Sequence, residues 1–178
     1  MAADPKIEGR YSKVSRRIWN DARFARLSAA PPNAQTLFLR LLTAPELGAI
    51  PGVLSVGAAG LAESLGWSVE TFRDTFGEAF REGLAKADWK ARLILVPKAI
   101  RHNRPASPNV VLSWRHQWIE LPECELKAEA WRTLKTFLEG MPKAFGEAFR
   151  EACPEPSGIP SPNQEQEQEQ EQEQEQEQ

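Results

Sequence analysis

The sequence predicts a mainly α-helical fold with a small β-hairpin, and three observations support this prediction. A short helical pattern over residues 58–65 ends at a glycine and is followed, after a three-residue turn, by a second helix that starts at Ser68. Residues 87–97 have the pattern of two short strands joined by a polar turn. The chain from residue 107 onward is again helical in its periodicity. Helix, turn, helix and hairpin in this order predict a winged helix-turn-helix followed by C-terminal helices.

The elements of the first half have identifiable starts and ends. Asn33 follows two prolines and is a good N-cap for a helix over residues 34–43. The segment 50–56 predicts a short strand that can join the hairpin as its third strand. Gly66 ends the short helix, and Ser68 caps the next one.

The helix after Ser68 has two different faces. We expect its apolar face to be core, and this face consists of Val69, Phe72, Phe76, Ala79, Phe80 and Gly83. The opposite face carries Glu70, Asp74, Glu78 and Arg81, as expected for a solvated helix surface.

One heptapeptide occurs twice. Residues 76–82 read FGEAFRE, and residues 145–151 repeat these letters, although the flanking sequences differ. We interpret this as local duplication or shared amphipathic-helix chemistry rather than a repeated domain. Phe76 and Phe80 are predicted to be core residues, and the second copy is expected on a more peripheral helix.

Beyond the hairpin, residues 98–106 form a basic connector. Ser107 and Pro108 then mark a helix start, and this helix is expected to run to Leu121. Its buried side is predicted to contain Val111, Trp114, Trp118 and Leu121. Further helices are predicted over residues 125–139 and 143–152. The tryptophans at 67, 89, 114, 118 and 131 all fall on apolar faces and are expected in the core.

These patterns divide the chain into four regions. We predict a disordered N-terminus (1–10), the winged helix-turn-helix domain (11–106), a helical extension packed on it (107–153), and a Pro/Ser linker with a low-complexity Gln-Glu tail (154–178). The Gln-Glu repeat carries seven of the 25 acidic residues, so the rest of the chain holds 22 basic and 18 acidic residues. The part expected to fold is therefore basic despite the sequence pI of about 5.6.

Several classes of protein are disfavoured. No apolar run approaches the roughly 20 residues of a membrane span, and the first ten residues lack the apolar core of a secretory signal. A cytoplasmic protein without membrane contact is expected. Cys124 and Cys153 belong to no Cys/His cluster, and His102 and His116 are expected on solvated surfaces, so no metal and no cofactor is predicted. No catalytic motif is present, and we predict that the protein is not an enzyme.

The basic residues suggest double-stranded DNA as the partner. One cluster, near the N-terminus, contains Arg10, Lys13, Arg16, Arg17, Arg23 and Arg26. A second, on the hairpin and its exit, contains Lys86, Lys90, Arg92, Lys98, Arg101 and Arg104. From these clusters we expect contacts with phosphates, with solubilising surface charge as the alternative, and the residues assigned to DNA are Lys13, Arg16, Arg17, Lys90, Arg92, Lys98, Arg101 and Arg104. The outward face of the helix after Ser68 is mostly acidic, so only its first turn, with Ser68, Thr71 and Arg73, is expected to approach bases.

Three segments carry a family resemblance. They are YSKVSRRIWND (residues 11–21) with Phe24 and Leu27-Ser28 following, LFLRLL (37–42), and NRPASPNVV (103–111) with Ser113-Trp114 and ELPEC (120–124) following. This pattern resembles the N-terminal domains of bacteriophage replication initiator or replisome-organiser proteins. The resemblance implies a winged-helix DNA-binding fold and a role at a phage origin, with host helicase or primosome proteins as partners.

The sequence thus predicts a DNA-binding protein of phage or prophage type that acts in the initiation of DNA replication. Two alternatives stay open. One is a transcriptional regulator on the same fold. The other is a protein–protein adaptor that uses the acidic helix face and does not bind DNA.

Overall fold

The protein alternates helices and strands in its first half and is helical afterwards. The computed structural model describes residues 14–28 and 32–157. The elements up to the hairpin are a 3-10 helix (Arg16–Asn20), α1 (Ala22–Ala25), α2 (Ala34–Leu42), β1 (Val53–Ser55), α3 (Ala58–Leu65), α4 (Val69–Arg81), β2 (Lys86–Asp88) and β3 (Leu93–Leu95). The later ones are α5 (Ala99–His102), α6 (Pro108–Leu112), α7 (Arg115–Glu120), α8 (Glu125–Glu139) and α9 (Lys143–Ala152). A mainly helical protein with a small antiparallel sheet is therefore confirmed.

Local hydrogen bonds determine where the helices begin and end. The Asn33 side chain accepts a hydrogen bond from the Thr36 N–H at 2.6 Å, directly before α2. Ser68 Oγ accepts from the Thr71 N–H at 3.0 Å and caps α4. Gly66 ends α3 with a φ of 69°, in the left-handed region that favours glycine. Because these signals are local in sequence, the predicted starts of α2 and α4 and the predicted end of α3 are confirmed.

The three strands form one antiparallel sheet with β3 at its centre. Leu54 of β1 lies opposite Ile94 of β3, and Ile94 also lies opposite Ala87 of β2. The prediction that the strand near residue 53 joins the hairpin is confirmed.

Each face of this sheet lies against a separate group of helices. Leu54 and Ile94 are buried among the apolar residues of α2, α3 and α4. Val53, Leu93 and Leu95 are buried in a second cluster with residues of α6, α7, α8 and α9. This division follows from the alternation of side chains across a strand. The later helices therefore cover the face of the sheet that the earlier helices leave open.

The segment from Ser107 to Leu121 differs from its prediction. It forms two helices, α6 and α7, separated by a turn at residues 113–114. At this turn the Ser113 hydroxyl donates to the Val110 carbonyl at 2.7 Å. Ser107 lies at the predicted N-cap position but makes no capping hydrogen bond through its side chain. The four predicted apolar residues are nevertheless all buried: Val111, Trp114, Trp118 and Leu121. Part of the predicted connector over 98–106 is also helical, as α5.

The two copies of the repeated heptapeptide bury different phenylalanines. In α4, Phe76 is 4% exposed, whereas Phe80 is 56% exposed. In α9 the second phenylalanine, Phe149, is 1% exposed, and the first, Phe145, is half-buried. The prediction that Phe80 is a core residue is wrong, and so is the expectation that the second copy is peripheral. Val69 and Gly83, at the ends of the same predicted face of α4, are exposed as well.

The neighbours of each helix explain this difference. The Phe76 ring lies 4.8 Å from the ring of Trp89, at the hairpin turn, in an edge-on contact. The Phe149 ring packs instead on Trp131 of α8, with 6.2 Å between centroids. The packing partners lie on different sides of α4 and α9. The repeated heptapeptide therefore turns a different face to the core in each helix.

The folded part extends further than predicted. Trp118 Nε1 donates to the Pro154 carbonyl at 2.9 Å, and Trp131 Nε1 donates to the Cys153 carbonyl at 3.0 Å. Pro156 is buried as well. Buried indole N–H groups usually find acceptors, and a proline carbonyl can still accept although proline lacks an N–H. The predicted linker from residue 154 is therefore wrong for its first residues. The predicted disordered N-terminus (1–10) and the Gln-Glu repeat lie outside the described residues.

Candidate nucleic-acid interface

An open groove lies between the starts of α3 and α4 and the hairpin turn. It has a volume of about 420 Å³. Its lining is made by Gly57, Ala58, Ala59, Gly60, Val69, Arg73, Trp89 and Arg92. The small side chains at the start of α3 let a ligand approach the backbone there closely.

The start of α3 is open to a hydrogen-bond acceptor. Gly57 is its N-cap, and no capping hydrogen bond from a side chain is formed there. Since the first N–H groups of a helix have no partner within the helix, those at Ala58, Ala59 and Gly60 are available for an anion.

Two arginines flank this helix start. Arg73 comes from the first half of α4, and Arg92 comes from the hairpin turn. The Arg92 stem passes over Gly57: a Cβ built on that glycine would lie 3.7 Å from Arg92 Cγ. Among the described residues, neither arginine takes part in an ion pair, and neither does the exposed Lys90 between the strands. The groove is therefore positively charged.

The hairpin that carries these cations is well anchored. Asp88 Oδ1 accepts from the Ala91 N–H at 2.9 Å and closes the turn. Trp89 packs edge-on against Phe72 and Phe76 of α4, with centroids 5.9 Å and 4.8 Å away. Arg92 has a φ of 53°, uncommon for a residue with a side chain, and this turns the chain into β3. The position of the turn relative to α4 is thus fixed by packing.

The predicted base-contacting residues have different roles in the structure. Ser68 Oγ caps α4 and donates to Thr71 Oγ1 at 2.8 Å, so both hydroxyl groups are engaged in the cap. Arg73 is exposed and lies in the groove. Of the three, Arg73 has the freest side chain.

The predicted acidic face of α4 is only partly solvated. Glu70 and Asp74 are exposed, as predicted, about 60° and 100° around the helix axis from Arg73. Glu78 is half-buried, which contradicts the prediction, because it accepts hydrogen bonds from the Ser28 N–H at 2.8 Å and the Ser28 hydroxyl at 2.9 Å. The carboxylates that face solvent therefore lie beside the groove rather than in it.

Of the three N-terminal cations whose side chains the structure describes, two form ion pairs. Arg23 pairs with Asp21 at 2.9 Å, and this contact holds the pKa of the Asp21 carboxyl well below its usual range. Arg26 Nε donates to Glu82 at 3.0 Å, which lowers the pKa of that carboxyl. Arg17 is exposed. Arg10, Lys13 and the side chain of Arg16 lie outside the described residues.

The N-terminal segment is also distant from the groove. Arg17 lines a separate cleft with Gly83, just beyond the end of α4. Since Gly83 is ten residues beyond Arg73, the two sites are separated by about 15 Å along the helix axis.

The second predicted basic cluster divides into two surfaces. Lys98, Arg101 and Arg104 follow the end of β3 opposite to the one where Arg92 lies. They line a different groove, shared with α8. Lys86 is paired with Glu129 at 2.6 Å. The structure thus places Arg73 and Arg92 in one groove, with Lys90 in the same turn as Arg92, and places Lys98, Arg101 and Arg104 in another.

Sequence reasoning missed two features of these surfaces. One is the Gly-Ala-Ala-Gly segment at residues 57–60, whose uncapped helix start was a readable signal. The other is Arg132 of α8, which joins Lys98, Arg101 and Arg104 only through the tertiary fold.

No protein-family model, curated protein or solved structure matches the chain. The resemblance to phage replication initiators therefore stays a prediction.

Other chemical features of the described residues are few. Over residues 14–28 and 32–157, no group of three or more His, Cys, Asp or Glu side chains is placed to hold a metal ion. The described helices are all too short or too polar to cross a membrane. His102 and His116 are exposed, as predicted. Cys124 and Cys153 are free cysteines, and burial raises the pKa of the Cys153 thiol to about 12.

Proposed function

We propose that the protein is a non-enzymatic DNA-binding protein with a winged helix-turn-helix, which holds the backbone of duplex DNA in the groove between α3, α4 and the hairpin. The element order supports the fold: α2, β1, α3, α4, β2 and β3 follow one another as helix, strand, helix, helix and hairpin. The sheet order β1-β3-β2 is consistent with a wing to which the first strand has been added.

The observation that carries the proposal is the convergence of Arg73 and Arg92 at the uncapped start of α3, with the exposed Lys90 in the same hairpin turn as Arg92. Phosphate oxygens accept hydrogen bonds from free helix N–H groups and from guanidinium groups, and both donors are present on one surface. Since these cations have no carboxylate partner among the described residues, binding a phosphate would break no ion pair.

The acidic stripe of α4 limits how the DNA can lie. Asp74 would repel phosphates if the whole helix entered the major groove, and Glu70, in the first turn, limits how closely phosphates can approach even there. We therefore propose that only the first turn of α4 approaches the bases, and that most of the affinity comes from backbone contacts. Such contacts position the protein but carry little sequence information.

The biological role rests on the sequence resemblance. We propose that the protein is of phage or prophage type and acts at an origin in the initiation of DNA replication, with host helicase or primosome proteins as partners. The support for this part is the pattern over residues 11–27, 37–42 and 103–124.

Titration of duplex DNA at several salt concentrations tests the binding proposal. The logarithm of the affinity should fall linearly with the logarithm of the salt concentration, by about 0.9 per phosphate contact. The double variant Lys90→Gln/Arg92→Gln should reduce this slope by about 1.8 and weaken all sequences alike. Arg115→Gln/Arg150→Gln removes two exposed cations outside the groove and is the matched control.

Two results would contradict the proposal. One is DNA affinity that is absent even at low salt, which would favour a protein–protein adaptor. The other is an equal decrease of the salt dependence of DNA affinity in the Lys90→Gln/Arg92→Gln variant and in the control variant. This result would indicate diffuse attraction of DNA to the whole basic surface.

A further inference from the structure

A second basic surface lies at the other end of strand β3 from the hairpin turn. It is an open groove of about 800 Å³ between α5 and α8. Four of its lining residues are cationic: Lys98, Arg101, Arg104 and Arg132. All four are exposed.

These cations have no acidic partner in the described part of the chain. Glu129 is the carboxylate among the lining residues, and it is paired with Lys86 at 2.6 Å. The Arg104 guanidinium lies 5.4 Å from the centre of the Phe137 ring, a cation–π contact that keeps it in the groove. The groove therefore presents a concentrated positive charge that this part of the fold leaves uncompensated.

The same chain carries a strongly acidic segment. Residues 164–178 alternate glutamine and glutamate and contain seven carboxylates without a single basic residue. If the segment binds in an extended form, alternate side chains point to the same side, so the glutamates form one row with a spacing of about 6.6 Å. Such a row can meet several cations of a groove at once.

The chain also reaches the groove easily. The Cys153 carbonyl accepts a hydrogen bond from Trp131, whose neighbour in α8 is Arg132. Pro154 and Pro156 are held against the fold, so the connection that remains is residues 158–163, which would span up to about 20 Å if extended. A helix with its side chains is only about 10–12 Å across, so this length is sufficient to pass around α8.

We infer that the groove between α5 and α8 binds the Gln-Glu segment of the same chain. The short connection places the glutamates near the groove at an effective concentration of about the millimolar range, so weak individual ion pairs suffice. The inference does not depend on the DNA-binding proposal, because it concerns a different surface.

Carbodiimide coupling in the full-length protein tests the inference. This reagent joins a carboxylate to a lysine amine only when the two are in contact, and Lys98 is the lysine of the groove. Trypsin leaves all seven glutamates on one peptide, because no Lys or Arg follows Arg150 in the sequence. Mass spectrometry of the monomer-sized product should find the Gln-Glu segment coupled mainly to Lys98.

Variants distinguish specific binding from general attraction. The triple variant Arg101→Gln/Arg104→Gln/Arg132→Gln keeps Lys98 and should lower the coupling yield roughly threefold or more, as should 0.5 M salt. Arg115→Gln/Arg150→Gln again removes cations outside the groove and should leave the yield unchanged. Unchanged melting temperatures would show that the variants remain folded.

Several outcomes would overturn the inference. They are equal coupling in the triple variant and the wild type, coupling mainly to Lys90 or Lys143, or coupling found only in products of twice the monomer mass. If the triple variant instead loses DNA affinity without any change in coupling, the groove serves nucleic acid and not the Gln-Glu segment.

Discussion

The repeated heptapeptide allows a comparison of identical local sequences in two environments. Replacing Phe149 by Ala removes a side chain that is 1% exposed and packs on Trp131. Such truncations usually cost about 3–5 kcal/mol, because they lose the transfer free energy and leave a cavity. Phe80 is 56% exposed, so less than half of its surface is buried and no enclosed cavity forms. Its replacement by Ala should cost about 1 kcal/mol or less.

Urea denaturation followed by circular dichroism measures both free energies of unfolding. The expected loss at Phe149 corresponds to a fall in melting temperature of roughly 6–20 °C in a protein of this size. The first phenylalanine of each copy gives the opposite order: Phe76→Ala should cost more than Phe145→Ala, because Phe76 is 4% exposed and Phe145 is half-buried. The slope of the free energy of unfolding against urea concentration should be the same for all variants. Equal losses at Phe80 and Phe149 would refute the reasoning.

Two further predictions concern the end of the described structure. Deleting residues 158–178 should leave the melting temperature almost unchanged, since exposed ion pairs contribute little. Deleting residues 154–178 should lower the melting temperature measurably, because the Trp118 N–H loses its acceptor, the Pro154 carbonyl. Cys153, whose pKa is raised by burial from 9.0 to about 12, should resist thiol reagents at pH 8 while the half-buried Cys124 reacts first. Because the unfolded thiol ionises more readily than the folded one, the stability should also fall as the pH rises from about 9 towards 12. Faster modification of Cys153 than of Cys124 would contradict its burial.

The features that sequence could predict are those with local causes. Ser68 caps α4 through an N–H only three residues away, and Gly66 ends α3 through its own backbone conformation. Both signals lie within one turn of the boundary that they define. The bounds of α3 follow from such a signal at its end; α8 and α9 were predicted with their observed bounds from helical periodicity and from the Gly140 to Pro142 break between them.

The features that sequence could not predict depend on distant partners. Phe80 and Phe149 have the same neighbours in sequence, and the elements packed against each helix, with Trp89 at α4 and Trp131 at α9 among them, decide which face is buried. Glu78 looks like one of a row of solvated carboxylates, yet it binds Ser28, 50 residues earlier. The basic residues of the hairpin and its exit were grouped into one cluster because they are close in sequence. In the structure, strand β3 lies between Arg92 and Lys98 and places them at opposite ends of the strand.

The burial of the sheet on both faces has a consequence for how the protein unfolds. Strand β3 contributes Ile94 to one apolar cluster and Leu93 and Leu95 to the other, so neither cluster can open without exposing the same strand. A fragment that stops before α6 would leave Val53, Leu93 and Leu95 facing water and would tend to aggregate. The described part of the chain should behave as one cooperative unit, in which the amide protons of β3 exchange with solvent only when the whole structure opens.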